Sequence, residues 1–191
     1  MTQEDIDASE APLIEHLVEL RRRLIYCVIG FIAAFIFSFY FSTAIFGILI
    51  LPFKWGTGVD PKLISTELLG FFIVKLKIAM FGGLFIGFPL IATQIYRFVA
   101  PGLYKHEKQA FLPYLIATPI FFMLGAALVY FFLLPVAIRF FYSLVADLNV
   151  DLMPDVRAYL DFVMMLILAF GLCFQLPVIL TLLGQIGILS Y

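Results

Sequence analysis

Long intervals without a charged residue are the feature that most constrains this chain. No Asp, Glu, Lys or Arg occurs between Arg23 and Lys54, and none follows Asp161. Because roughly 20 consecutive apolar residues cross the hydrocarbon core of a bilayer, each interval is long enough for a transmembrane helix. Only 13% of the residues are charged, against roughly 25% in a soluble domain. We therefore expect an integral membrane protein.

Four charge-poor intervals predict four transmembrane helices, at about 24–48, 71–97, 110–134 and 160–180. A closed barrel would instead show alternating segments of about ten residues. Residues 1–191 are thus predicted to form one all-α membrane domain, with a segment at 1–23 before the first helix and a loop at about 98–109. Two further segments, about 49–69 and 135–158, are predicted to be structured caps with short helices.

Prolines interrupt the predicted helices at Pro89, Pro113, Pro119 and Pro177. A proline inside a helix removes a backbone hydrogen bond and bends the axis. We therefore expect a kinked bundle.

The distribution of positive charge only weakly predicts the orientation in the bilayer. With a cytoplasmic N-terminus, half of the 12 Lys and Arg residues lie inside and half outside, so the positive-inside count is tied. The arginine triplet Arg21–Arg23, directly before the first span, favours a cytoplasmic N-terminus.

Signatures of catalysis and of metal binding are missing from the sequence. It has no zinc-protease motif, nucleophile elbow or phosphate-binding loop, and no carboxylate pair in facing spans. Cys27 and Cys173 lie alone in apolar stretches, where a small hydrophobic role is the simplest interpretation. A net charge of −1 without a basic stripe gives no reason to expect nucleic acid. We expect no enzyme activity, no metal and no cofactor.

Two acidic residues are candidates for a binding surface. Glu19 lies in an amphipathic segment before the first span, and Glu107 lies in the predicted loop on the same side. Two carboxylates on one face could bind paired guanidinium groups through charge-assisted hydrogen bonds. The alternatives are that Glu19 pairs with Arg23 four residues on, and that Glu107 only balances the charge of Lys105 and its neighbours.

These two segments resemble motifs of the TatC family, the large polytopic subunit of the twin-arginine protein translocase. Residues 15–24 read EHLVELRRRL and residues 98–107 read FVAPGLYKHE. Pro52, in the connection after the first span, and residues 169–177, in the fourth span, match the family as well. The resemblance covers essentially the whole chain. It implies kinked helices in a concave, glove-like arrangement and a cytoplasmic N-terminus.

The resemblance also assigns roles to single residues. Glu19 and Glu107 would recognise the arginine pair of a signal peptide, with Arg21 and Lys105 at neighbouring motif positions. The other motif positions are Pro52, Phe98, Pro101 and Leu24.

Two departures from the family are visible. Gln175 stands where the family commonly has Glu; its amide can still hydrogen-bond a polar residue of a partner helix, but a role needing negative charge is in doubt. The family has six spans, whereas four are predicted here. Either the chain is truncated relative to the family after the fourth helix, or two helices were lost.

The function implied is that of a receptor subunit that binds twin-arginine signal peptides and helps export folded proteins. Its partners would be single-span TatA- and TatB-type subunits and further copies of itself, in the bacterial cytoplasmic membrane or an equivalent organellar membrane. Two alternatives stay open: a small transporter of a solute or ion, and a remnant that folds but does not transport. A transporter predicts polar groups near the membrane midplane, where only Gln175 qualifies.

Overall fold

The structure, a computed structural model, describes the backbone of residues 3–60, 62–99, 108–146 and 153–185, and the side chains of 16–60, 62–98, 113–145 and 153–184. Within these ranges the chain is helical and contains no strand, which confirms the predicted all-α class. The helices are α1 (Gln3–Tyr40), α2 (Ser42–Thr57), α3 (Gly70–Val99), α4 (Lys108–Leu128), α5 (Leu134–Ala146), α6 (Val156–Cys173) and α7 (Gln175–Gln185), and a π-turn (Val129–Leu133) joins α4 to α5.

Among the described residues, four helical stretches are long and apolar enough to cross a bilayer: His16–Tyr40, Gly70–Phe98, Pro113–Val145 and Val156–Gly184. The start of the first stretch contacts the end of the second, since the ring of His16 stacks on that of Phe98. We call this the N-terminal end of the bundle. The opposite end carries α2 and the starts of α3 and α6, and we call it the α2 end.

The prediction of 24–48 as one helix is wrong. α1 ends at Tyr40, and Phe41 adopts φ −91° and ψ 14° before α2 begins. Phe41 N still donates to Phe37 O at 3.1 Å, and Ile45 N donates to Phe41 O at 3.0 Å. The bend therefore leaves these backbone groups bonded and turns α2 onto α5. The predicted span ran through this bend because no charged residue lies between Arg23 and Lys54 to mark the end of α1.

The third helix continues past its predicted end. Residues 135–158 were predicted to form a cap that opens at Pro135, yet the π-turn and α5 extend the helix well beyond that proline. In the π-turn Leu134 N donates to Val129 O, five residues back. An ordinary turn would bring the proline ring against the carbonyl four residues earlier, and the wider turn relieves this clash. The fourth helix begins earlier than predicted, at Val156.

Two helix pairs pack so closely that the contact requires glycine. A Cβ on Gly83 of α3 would lie 3.1 Å from Phe35 Cα of α1, and one on Gly125 of α4 would lie 2.6 Å from the carbonyl oxygen of Phe170 in α6. These neighbours are backbone atoms, which cannot rotate away as a flexible side chain can. Small residues let membrane helices approach until dispersion forces hold them. The α1–α3 and α4–α6 seams depend on this approach.

The two connections at the α2 end are held to each other. Val156 N donates to Ile64 O at 2.9 Å, and Ile64 N donates to Pro154 O at 3.2 Å. Beside this short bridge the Arg157 guanidinium pairs with the carboxylate of Glu67 at 2.8 Å. The start of α6 is thereby fixed to the segment that leads into α3.

Asp155 is the N-cap of α6. Its Oδ1 accepts hydrogen bonds from Arg157 N at 2.9 Å and Ala158 N at 3.2 Å, and its Oδ2 accepts one from the Thr66 hydroxyl at 3.0 Å. The hydrogen bond from the Ala158 N–H, followed by the one from Thr66, favours the charged carboxylate and lowers the pKa of Asp155. The stability that this cap gives to the start of α6 therefore depends on pH.

The α4–α6 seam can be tested with two glycines. Gly125→Ala should destabilise the fold by about 1–3 kcal/mol, because the added methyl group overpacks a backbone contact. Gly47→Ala is the matched control, since a Cβ there meets nothing within 4 Å and alanine favours helix. Thermal unfolding in detergent measures both. Equal melting temperatures for the two variants would contradict the conclusion that the close packing of α4 on α6 requires glycine at position 125.

The Asp155 cap should make stability depend on pH. A lowered folded-state pKa adds stability above the ordinary carboxyl pKa of about 3.9, and this stability is lost as pH falls through the folded value. Asp155→Asn keeps a capping oxygen but removes the charge. Its deficit in melting temperature should be constant from about pH 6 to 8 and shrink below about pH 4. The control is Asp60→Asn, at a side chain that is 82% exposed. A loss of melting temperature in Asp155→Asn that stays the same at every pH would refute the dependence of stability on the charge of Asp155.

Candidate functional site

Glu19 lies on α1 with its carboxylate already engaged by a guanidinium group. Arg23 Nε donates to Glu19 Oε1 at 3.0 Å, and Arg23 Nη2 donates to the same oxygen. The spacing of four residues puts both side chains on one helix face. Arg23 Nη1 also reaches Gln94 Oε1 of α3 at 3.5 Å, so the pair contacts a second helix. Glu19 keeps 33% of its side chain exposed, which leaves room for a further cation.

Phe98 is held against α1. Its ring stacks on that of His16, with centroids 4.3 Å apart and planes 20° from parallel. Arg21 and Leu24 are exposed, and Leu24 retains 61% of its accessible surface. The structure thus brings Phe98 and the Glu19 region to the same end of the bundle.

The rest of the predicted patch, Pro101, Lys105 and Glu107, lies outside the described residues. The grouping of Glu107 with Glu19 therefore stays a prediction.

Gln175 begins α7 and is buried, with 6% of its surface exposed. Its Nε2 donates to Thr118 O of α4 at 3.0 Å. The Thr118 hydroxyl is hydrogen-bonded to that of Tyr96 at 2.9 Å, which links α3, α4 and α7. Gln175 Oε1 is buried without a hydrogen-bond partner among the described residues. The amide is thus used within the chain, and the predicted contact to a partner subunit remains a prediction.

Pro52 is fully buried in α2, where it leaves a backbone carbonyl without its usual donor. A proline has no N–H, so the carbonyl of Ile48, four residues earlier, loses its helical hydrogen bond. The Tyr130 hydroxyl donates to Ile48 O at 2.7 Å, and the Tyr159 hydroxyl donates to the next carbonyl, Leu49 O, at 3.1 Å. Pro52 is thus the point at which α2 is tied to the third and fourth helical stretches.

Sequence reasoning missed these tyrosines and one ion pair. Lys77 Nζ donates to both carboxylate oxygens of Asp161, at 2.7 and 2.6 Å, and joins α3 to α6 inside the candidate spans. In the sequence Asp161 served only as the boundary of an uncharged interval, and Lys77 lies within the predicted second span. Their opposite charges, each near the same end of a span, were the available signal. Among the described residues, no group of three or more His, Cys, Asp or Glu side chains is placed to hold a metal.

The family of this chain follows from its match to known proteins. The family model described as "Sec-independent protein translocase protein (TatC)" matches residues 15–191. The chain belongs to the TatC family. The resemblance inferred from the two motifs is therefore confirmed, and the chain is an integral membrane protein of a family of translocase components.

Relatives and solved structures agree with this assignment. The TatC protein of Magnetococcus marinus is 42% identical over 181 residues, which cover 95% of this chain and 66% of that protein. The Haemophilus influenzae TatC protein is 38% identical over 187 residues, 96% of this chain and 71% of that protein. The crystal structure titled Twin Arginine Translocase Receptor TatC superposes with a TM-score of 0.82 at 36% identity, over 92% of this chain and 77% of that one. The chain thus spans about two thirds of the length of these TatC proteins.

The coupling between Pro52 and Tyr130 can be measured with a double-mutant cycle. Tyr130→Phe should cost about 1–3 kcal/mol of stability, because Ile48 O is left unbonded. In a Pro52→Ala background the restored N–H can bond that carbonyl, so the same substitution should cost less. Tyr40→Phe, at a side chain 82% exposed, is the control. Additive effects of Tyr130→Phe and Pro52→Ala in thermal unfolding would contradict the coupling.

Proposed function

We propose that this chain is a non-enzymatic receptor subunit of a twin-arginine translocase. It binds signal peptides that carry consecutive arginines and takes part in the export of folded proteins. The arginine pair is recognised by Glu19 and Glu107, with Arg21 and Lys105 beside them. The solved relative is titled a twin arginine translocase receptor, and membership of its family supports the same role here.

Membership of the TatC family over residues 15–191 is the observation that carries the proposal. In the structure Glu19 pairs with Arg23, which was the alternative given for this residue, and the pair shows how the carboxylate can hold a guanidinium group. A carboxylate that accepts the Nε and Nη2 hydrogens of one guanidinium has the chemistry needed for a signal-peptide arginine. Because the Glu19 side chain is 33% exposed, an incoming arginine can reach it from the surface. The incoming guanidinium group would share Glu19 with Arg23 or replace Arg23 as its partner. Because one guanidinium group takes the place of another, the desolvation of the Glu19 carboxylate would change little.

The surroundings of Glu19 suit a peptide-binding surface. The stack of His16 on Phe98 holds the end of α3 beside α1, at the end of the bundle that carries Glu19. Glu107 follows Phe98 within the same ten-residue motif of the sequence, which supports the proposed grouping. The N-terminus would then lie in the cytoplasm, the compartment in which a folded precursor presents its signal peptide.

Partners and location follow from the same proposal. The chain would sit in the bacterial cytoplasmic membrane or an equivalent organellar membrane, with TatA- and TatB-type subunits and further copies of itself. The buried Gln175, whose Oε1 has no partner among the described residues, is the group that could hydrogen-bond a partner helix. Transport itself would need the assembled complex.

The transporter alternative is less well supported. The ionisable pair described within the spans, Lys77 and Asp161, is closed on itself at 2.6–2.7 Å and lies near the α2 end, away from the midplane. No comparable observation favours solute flux over the receptor role.

The receptor proposal is tested by photocrosslinking in membranes that hold the chain and a labelled twin-arginine signal peptide. Glu19→Gln with Glu107→Gln should reduce crosslinking at least about tenfold, because two charge-assisted contacts of about 1.5–3 kcal/mol each are weakened. The matched control is Glu67→Gln with Asp60→Asn, which also removes two carboxylate charges, both at the α2 end, where Glu67 pairs with Arg157 and Asp60 with Lys54.

Undiminished crosslinking in the double variant would refute the assignment of the site. A peptide with both arginines changed to lysine should crosslink weakly to the unmodified chain, since lysine cannot present a planar fork. Export of a folded reporter in cells without their own TatC tests separately whether this chain also transports. Binding without export would support the alternative of a transport-incompetent remnant.

A further inference from the structure

An apolar cavity of about 290 Å³ opens in the side of the bundle towards the α2 end. Its walls come from α2, α3 and the stretch of α4 with the π-turn, and Ile167 of α6 completes it. Tyr130 is the lining residue with a polar side chain, and its hydroxyl already donates to Ile48 O. A buried water needs two to four polar partners. The lining offers no such set, so the cavity is suited to hydrocarbon.

The cavity is continuous with the surface that faces lipid. Four of its lining side chains form a rim with half or more of their surface exposed: Ile48 at 53%, Ile86 at 50%, Met123 at 53% and Phe131 at 65%. In an integral membrane protein, apolar surface exposed along a span faces the bilayer. The groove is therefore an indentation of the lipid interface.

Aromatic residues mark the mouth of the groove. The ring of Trp55 lies 5.5 Å from that of Tyr130 and 5.7 Å from that of Phe131, centroid to centroid. Trp and Tyr are enriched where hydrocarbon meets the headgroups. Lys54, with 54% of its side chain exposed, stands next to Trp55 in the chain. The groove thus runs from the headgroup level into the hydrocarbon.

We propose that this groove binds one acyl chain of a membrane phospholipid, whose headgroup lies at the level of Trp55. The lining favours an acyl chain over a helix, because polar side chains commonly hold membrane helices together and the polar side chain of the lining, Tyr130, is already bonded to Ile48 O. A dry cavity of about 150 Å³ in a soluble protein already holds benzene, so a longer run of hydrocarbon fits here.

The experiment uses the whole chain in nanodiscs of phosphatidylcholine with a trace of phospholipid carrying a diazirine on its acyl chain. After irradiation, mass spectrometry locates the label on peptides of α3 and α4. Ala127→Phe places a ring into the groove and should lower labelling of the peptide with Ile86 several-fold. Leu124→Phe is the matched control, because Leu124 is 53% exposed on the same helix and does not line the groove.

A second variant tests the proposal independently in case Ala127→Phe does not fold. Met123→Ala widens the rim and should raise labelling at Ile86 above that of the unmodified chain. Equal labelling in Ala127→Phe, Leu124→Phe and Met123→Ala would mean that only bulk lipid is sampled, and would overturn the proposal. Displacement of the label by an added apolar helical peptide would overturn it too, since the occupant would then be a helix.

Discussion

The bilayer offers no water to an unpaired backbone group, so each carbonyl that a proline leaves without its helical donor must be satisfied within the protein. Each proline removes a backbone donor, so the freed carbonyls and their neighbours need donors from inside the protein. At Pro52 these donors are Tyr130 and Tyr159 from two other helical stretches. At Pro135 the π-turn shifts the hydrogen-bond register instead. The carbonyl freed by Pro52 is thus also a point at which separate helices are joined.

Several polar groups between the helices are likewise bonded to partners within the protein. Gly83 lets the backbones of α1 and α3 come together, and Arg23 adds a hydrogen bond to Gln94 between the same two helices. Thr118 and Tyr96 join α4 to α3 by a hydrogen bond between their hydroxyl groups. Lys77 and Asp161 neutralise each other where two spans begin. The α2 end is consequently cross-linked by hydrogen bonds and by the ion pairs Arg157–Glu67 and Lys77–Asp161, whereas Arg21 and Arg22 at the N-terminal end are exposed.

The sequence predicted the class, the number of spans and the family because those depend on composition and on local motifs. It did not predict the bend at Phe41 or the continuation through Pro135, since both depend on how backbone groups are satisfied in three dimensions. For the site, it named Glu19 and Phe98, and the structure put them at one end of the bundle. Gln94 was not predicted as a partner of Arg23, because the two residues are 71 positions apart and no local sequence pattern relates them.

The first helical stretch is barely buried: within its most apolar window 6% of the residues are buried, and α1 packs chiefly on α3. These two helices are consecutive spans, although the connection between them, residues 41–69, contains α2, and their contacts need none of the later spans. The pair can therefore assemble as a hairpin during membrane insertion, once α3 has entered and before the later spans are made. α1 and α3 would thus be a folding unit onto which the remaining helices are added in order of synthesis.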